Sequence, residues 1–174
     1  AVQGDSTTVK FRNETLDNPF VRGAEANYDE VLLAFSVKEG RFLTEYEDSH
    51  AQGVCVIGQT VKDSLFPNID SIGREIILDN QRLRVIGVFE KDSGLFGGPG
   101  VDDFVVIPYQ TFRKFWPENK ENVMLMTVND PKDLKIAKDE VTQVLRRRRH
   151  VPARAENDFD ISSPDFILTL WNQL

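Results

Sequence analysis

Hydrophobic positions along this chain recur at strand spacing through much of its length and at helical spacing in a few short stretches and one long one. The segments 5–12 (DSTTVKFR) and 20–28 (FVRGAEANY) set β-branched and aromatic residues among polar ones. They predict two short strands, with Asp17-Asn18-Pro19 as the turn between them. Val54 to Ile57 is apolar without alternation, which predicts a strand buried on both faces. Arg74–Leu78 and Arg82–Phe89 predict a hairpin around Asp79-Asn80-Gln81, where Asp and Asn tolerate a left-handed turn. Along its second strand Leu83, Val85, Gly87 and Phe89 would share one face, and Arg84, Ile86, Val88 and Glu90 the other. Apolar residues on both faces predict a central position. Phe104–Ile107 and Val123–Val128 read as two further strands.

Helical signals punctuate this pattern. Ser36-Val37-Lys38-Glu39 and Thr44-Glu45-Tyr46-Glu47 each match a capping box and predict single helical turns, the first ended by Gly40. Gln59–Phe66 predicts a short helix closed by Pro67, and Tyr109–Trp116 another with Phe112, Phe115 and Trp116 facing inward. Asp130-Pro131 opens the best helix, on which Leu134, Ala137, Val141, Val144 and Leu145 form a stripe expected to lie against a sheet. The run Arg146 to Arg149 with His150 ends that helix. Cations are favoured there by the helix dipole, and the acidic stretch from Glu156 to Asp160 follows, so a structural role outweighs a nucleic-acid or lipid-headgroup site. Ser163-Pro164-Asp165 predicts a last amphipathic helix carrying Phe166, Ile167, Leu170, Trp171 and Leu174. Ser93 to Gly100, with four glycines and one proline, predicts a surface loop. It lacks the Lys-Ser/Thr ending of a phosphate-binding loop. Its Leu95 and Phe96 make it a candidate partner-contact loop, beside the simpler reading of a flexible excursion.

Composition narrows the function classes. A chain of 174 residues with 40% hydrophobic residues and 12 Phe is long and apolar enough to bury a core. A formal charge of -7 argues against nucleic-acid binding and against general electrostatic attachment to an anionic membrane. No run approaches the roughly 18 apolar residues of a spanning helix, and no leader pattern opens the chain. The single cysteine, Cys55, lies within an apolar run and reads as a buried small hydrophobe; neither His50 nor His150 is placed by sequence to activate it. Asp102-Asp103 and Glu45, Glu47 and Asp48 sit among turns and caps. No metal-ligand spacing and no nucleophile motif appears, so neither a catalytic, a cofactor-binding nor a metal-binding residue is expected.

The order of landmarks is more specific than any one of them. Gly40-Arg41-Phe42, Val54 to Gly58, Leu65-Phe66, Asp70-Ser71-Ile72-Gly73-Arg74, Leu83 to Val88 and Asp103 to Pro108 follow one another as in a known family. In this the chain resembles the periplasmic core domain of MacB-like and FtsX-like ABC transporter permeases. Ser71 stands where that family usually has Pro, and Arg74 where Lys is common. The resemblance implies an α+β, two-lobed fold: a porter-like α/β lobe from residues 1–30 and 120–174, truncated at its start, and a mostly β lobe inserted as residues 31–119. It implies a non-catalytic extracytoplasmic module of an inner-membrane permease, cut between the first and second membrane helices, that couples cytoplasmic ATP hydrolysis to export or partner action in the periplasm. Expected partners are the parent's membrane helices and ATPase, and in some members a periplasmic adaptor and an outer-membrane duct; the isolated piece would be a monomer or weak dimer. Two other classes fit a motif-poor acidic chain: a free-standing secreted or surface-anchored binding module, and, less well supported, a small hydrolase with two converging carboxylates or a carboxylate and a histidine.

Overall fold

A computed structural model describes residues 7–31, 36–91 and 102–162, which fall into two compact units divided between Leu125 and Met126. The first unit is one mixed sheet. Its strands are β1 (Thr8–Phe11), β2 (Glu14–Asp17), β3 (Phe20–Ala24), β4 (Val37–Gly40), β5 (Val54–Ile57), β6 (Glu75–Leu78), β7 (Gln81–Phe89) and β8 (Phe104–Pro108). They run in the order β2-β1-β6-β7-β5-β8-β3, with β4 added to the far half of β7. The pairs β5–β7 and β3–β8 are parallel and the others antiparallel. The helices are α1 (Tyr28–Val31), α2 (Glu45–Ser49), α3 (Gln59–Leu65) and α4 (Tyr109–Phe115), so the fold is α+β as expected.

β7 is the axis of this sheet. Its first residues pair with β6, its last with β4, and its middle with β5. The β6–β7 hairpin closes on Asp79 and Asn80, both left-handed (φ 45° and 67°), and the Asp79 carboxylate accepts from the backbone N–H of Thr8 at 3.0 Å. Segment 40–42 crosses β7 at backbone contact distance. A β-carbon on Gly87 would collide with the carbonyl oxygen of Arg41, and one on Gly40 with that of Ile86, while the Arg41 N–H donates to the Ile86 carbonyl at 3.0 Å. Gly58, where β5 turns into α3, meets the carbonyl of Asp102 in the same way.

That crossing corrects one reading of the pattern. Strict alternation would put Phe89 on the face of Leu83 and Val85, but the β5–β7 register shifts between Cys55 and Val56 and the parity of β7 changes there. Leu83, Val85 and Val88 therefore join one core cluster, and Ile86 and Phe89 the other. The first cluster is closed by Val61, Leu65 and Phe66 from α3 and its C-cap and by Phe112 of α4, the second by Tyr28, Phe42 and Leu43. β5 is buried on both faces as expected, Cys55 and Ile57 on one side and Val54 and Val56 on the other.

Three other expectations for the first unit differ from the structure. Segment 36–39 is not helical: Ser36 donates to the Glu90 carboxylate at 2.9 Å instead of capping a turn, and Val37 and Glu39 pair with β7. The described part of segment 5–12, residues 7–12, contributes β1 and turns back at Arg12 (φ 54°) into a strand the pattern did not predict, β2. Residues 25–27 leave β3 for α1. Of residues 1–30, expected in one lobe with 120–174, the strands β1 and β3 pair with β6 and β8 within the first unit's sheet.

Thr44 caps α2 through a full capping box, accepting from the Glu47 N–H at 3.3 Å while its own N–H donates to the Glu47 carboxylate at 3.0 Å. Arg41 grips the same carboxylate with both guanidinium nitrogens, at 2.8 and 2.6 Å, and donates to the Phe42 carbonyl. The carboxyl is held at about 2, chiefly by the Arg41 bond and further by Thr44, against the opposing effect of its burial.

In the second unit a 3-10 turn, Pro131–Asp133, leads into α5 (Leu134–Arg148), with Asp130 accepting from the Lys132 N–H at 2.9 Å. None of the helix's residues is fully buried, so its apolar stripe has no sheet against it among the described residues. Residues 123–128, expected as a strand, pair with no strand among the described residues.

Two outcomes follow. Gly87→Ala should destabilise the first unit by about 2 kcal/mol, since neither the β7 nor the Arg41 backbone can move without breaking the sheet; a urea melt with an unchanged midpoint would contradict the crossing. Glu47→Gln should cost about 1–2 kcal/mol at pH 7. Because the folded carboxyl lies below its ordinary 4.5, its contribution is complete above that pH and lost as pH falls towards 2. The gap between native and variant melts should therefore narrow across that window.

Candidate functional site

Two open concavities mark the first unit. One, of about 410 Å³, lies beyond the C-terminal end of edge strand β3, between Gly23 to Glu25 with Tyr28 and, opposite, Tyr109 with residues 122–125. Its wall is organised by Arg22, whose guanidinium lies over the Phe20 and Phe104 rings at 4.8 and 5.5 Å and donates to the Tyr28 hydroxyl at 3.0 Å. Val123 and Met124 are 58% and 68% exposed at the opposite wall. Glu25 is the only charged side chain of the lining among the described residues, and the rest of that lining offers apolar contact and neutral hydrogen bonding. The other, of about 610 Å³, is lined by Glu39, Lys62, Asp63 and residues 66–70. Its polar groups serve the fold: Lys62 pairs with Glu39 at 2.6 Å, Asp63 accepts from Gln59 and Asp70 from the Ile72 N–H.

The residues singled out from sequence do not converge on a reaction centre. Burial places Cys55 inside the first core cluster and pushes its thiol far up, away from the reactive thiolate. His50 is exposed and stacks on Tyr46 with ring centroids 4.1 Å apart, while His150 follows the end of α5 in a left-handed turn. Asp48 accepts from the Gln110 N–H at 2.9 Å and so ties α2 to the start of α4. Burial raises the Asp103 carboxyl, and Asp102 is almost wholly buried. No group of three or more His, Cys, Asp or Glu among the described residues could hold a metal ion. Leu95 and Phe96 lie outside the described residues.

The arginine run works structurally in two of its members. Arg146 donates to the carbonyls of Pro152 and Ala155 and to Asn157, folding the tail against the helix end, and Arg149 pairs with Asp158 at 2.8 Å. Sequence reasoning missed the Arg41–Glu47 clamp and the groove. The clamp had a visible trace, since Arg41 stands three residues before the capping box that Glu47 completes; the groove joins residues about a hundred positions apart and left none.

The first unit is thus a mixed sheet with helices on it and an open groove that offers apolar contact. Residues 1–144 match the family model of the MacB-like periplasmic core domain, and the chain belongs to that family. It is 28% identical over 164 residues to the pyoverdine export ATP-binding/permease protein PvdT of Pseudomonas aeruginosa, across 93% of this chain and 24% of that protein. It is 29% identical over 154 residues to the macrolide export ATP-binding/permease protein MacB of Azoarcus sp., across 87% of this chain and 23% of that one. The chain thus spans about a quarter of the length of these relatives. Its fold is like that of the periplasmic region of MacB from Actinobacillus actinomycetemcomitans (TM-score 0.73, 19% identity, 98% of this chain and 73% of that one). It is also like the extracellular domain of the transporter YknZ from Gram-positive bacteria (TM-score 0.72, 17% identity, 85% of this chain and 73% of that one).

The departure at Ser71 now has a physical reading. Ser71 is fully buried and its hydroxyl has no partner among the described residues. It occupies the first position of a turn closed by the Arg74 N–H on its carbonyl at 3.1 Å, with Gly73 at φ 77°. Ser71→Pro should stabilise the chain by about 0.5–1 kcal/mol, removing a buried orphan hydroxyl and restricting the unfolded chain. A lower denaturation midpoint would show that the hydroxyl or its N–H is used.

Proposed function

We propose that this chain is the non-catalytic, extracytoplasmic core of an inner-membrane ABC permease, a module that passes movement driven by cytoplasmic ATP hydrolysis to cargo or partners in the periplasm. The family match across residues 1–144 carries this reading, and two relatives named as export ATP-binding/permease proteins support it. In this reading its partners are the parent's membrane helices and ATPase part, with a periplasmic adaptor and an outer-membrane duct beyond them. No helix among the described residues is long and apolar enough to cross a membrane, so anchoring would fall to other parts of the parent.

The second unit is, in the same reading, part of a porter-like α/β lobe reaching from about residue 120 to 174. Support comes from what its elements leave uncovered: Met126 is 51% exposed and Ile136 on α5 is 58% exposed. An extended apolar run followed by an amphipathic helix has the form of a β-α unit in want of a sheet. Leu95 and Phe96, which fall in the sequence between β7 and β8, are the partner-contact positions of this reading.

The reading is tested in the parent protein. Replacing residues 7–162 by a flexible linker of similar reach should abolish export from cells while leaving nucleotide binding intact. Undiminished export would overturn the proposal. A parent polypeptide with no apolar spans of about 20 residues around this segment would leave a free-standing binding module in its place.

A further inference from the structure

We propose that the groove beyond β3 is a binding site for a small amphiphile that carries one cationic amine on an apolar body. All of its lining residues belong to the first unit, and its volume of about 410 Å³ falls within the range of roughly 300–1,000 Å³ usual for small-molecule sites. Its two walls differ in character, and each specifies one half of such a ligand.

Apolar contact comes from the chain that follows α4. Val123, Met124 and Leu125 are 58%, 68% and 38% exposed along that wall, and a ligand that covers them gains in proportion to the apolar area it takes from water. The aromatic side chains of the groove are already fixed. The Tyr28 hydroxyl accepts from Arg22 at 3.0 Å, and its ring stacks on that of Phe42 with centroids 6.4 Å apart. The Tyr109 hydroxyl donates to the Asn122 side-chain oxygen at 2.7 Å, and the Asn122 amide donates to the Lys120 carbonyl at 3.3 Å. These groups are positioned before a ligand arrives, so little ordering is left to oppose binding.

Charge decides the other half. Glu25 is exposed, and its carboxylate makes no ion pair or hydrogen bond among the described residues. It is the only charged side chain of the described lining, and Asp29 and Glu30 stand on the same short helix as Tyr28. Of the two bases nearest to the lining in sequence, Arg22 is held over the Phe20 and Phe104 rings and Lys120 is followed directly by Glu121. The local field therefore favours a cation and disfavours an anion. An ammonium group would find in Glu25 the acceptor for a charge-assisted hydrogen bond, in a groove that also holds two tyrosine rings.

This site stands apart from the permease reading, because it is tested on the 174-residue chain by backbone amide shifts during titration with octylamine, octanol and octanoate at neutral pH. The three probes share one apolar chain and differ in charge. Octylammonium should shift Gly23 to Tyr28 and residues 122–125, binding roughly 3–5 times more tightly than octanol at low salt, with octanoate weaker than either. At about 0.5 M salt most of that preference should be lost. Glu25→Gln should bring octylammonium and octanol to the same affinity, and Met124→Ser should weaken all three alike; both positions are exposed, so neither change disturbs the core. Equal affinity for the three probes in the native chain, a preference for octylammonium that survives Glu25→Gln, or no shift in the groove with any probe would each overturn the proposal, the last leaving the apolar wall as a contact for a protein partner.

Discussion

The first unit depends on one close approach: the backbone of residues 40–42 lying across β7 at Gly87. β4, β5 and β7 come together at Gly87 and Val88, and the absence of a side chain on both Gly40 and Gly87 is what permits the Arg41 N–H to reach the Ile86 carbonyl. The crossing shifts the register between β5 and β7 and redirects the far half of β7, which is how Phe89 comes to pack on Phe42 and Phe104 instead of with Leu83. Two core clusters, one on each side of the sheet, are its consequence.

Arg41 leaves that crossing pointing at α2, and the polar ties run on from there. Its guanidinium and the Thr44 capping box fix Glu47, and α2 then presents Asp48 to the start of α4. A helix of five residues has little stability of its own, so these charge-assisted bonds to a carboxyl held at about 2 supply much of what keeps it formed. Through α4 the same chain of contacts reaches Tyr109, whose hydroxyl donates to Asn122 at 2.7 Å.

Most of this architecture was legible along the chain wherever the signal was local. The apolar run at 54–57, the Asp79-Asn80 turn, the Thr44 to Glu47 box and the Asp130-Pro131 helix start each specify their element through neighbours a few residues away. Failures came where a distant partner decided the matter. Ser36 to Glu39 spells a capping box as well as Thr44 to Glu47 does, but Val37 and Glu39 find β7, and the ladder outweighs one turn of helix. The parity of β7 could not be read from its own alternation, because the bulge is set by the crossing strand. Residues 123–128 spell a strand and pair with no strand among the described residues. The ordered landmarks, by contrast, carried the family, since Gly40, Gly58 and Gly87 are the positions where one backbone touches another.

The central claim is that the crossing at Gly87 holds β4, β5 and β7 together. The most direct measurement is amide hydrogen exchange, residue by residue, in the native chain and in Gly87→Ala. The Arg41 amide, which donates to the Ile86 carbonyl, should be protected in the native chain and should lose that protection together with β4 in the variant. Unchanged exchange at Arg41 and β4 in the variant would contradict the account.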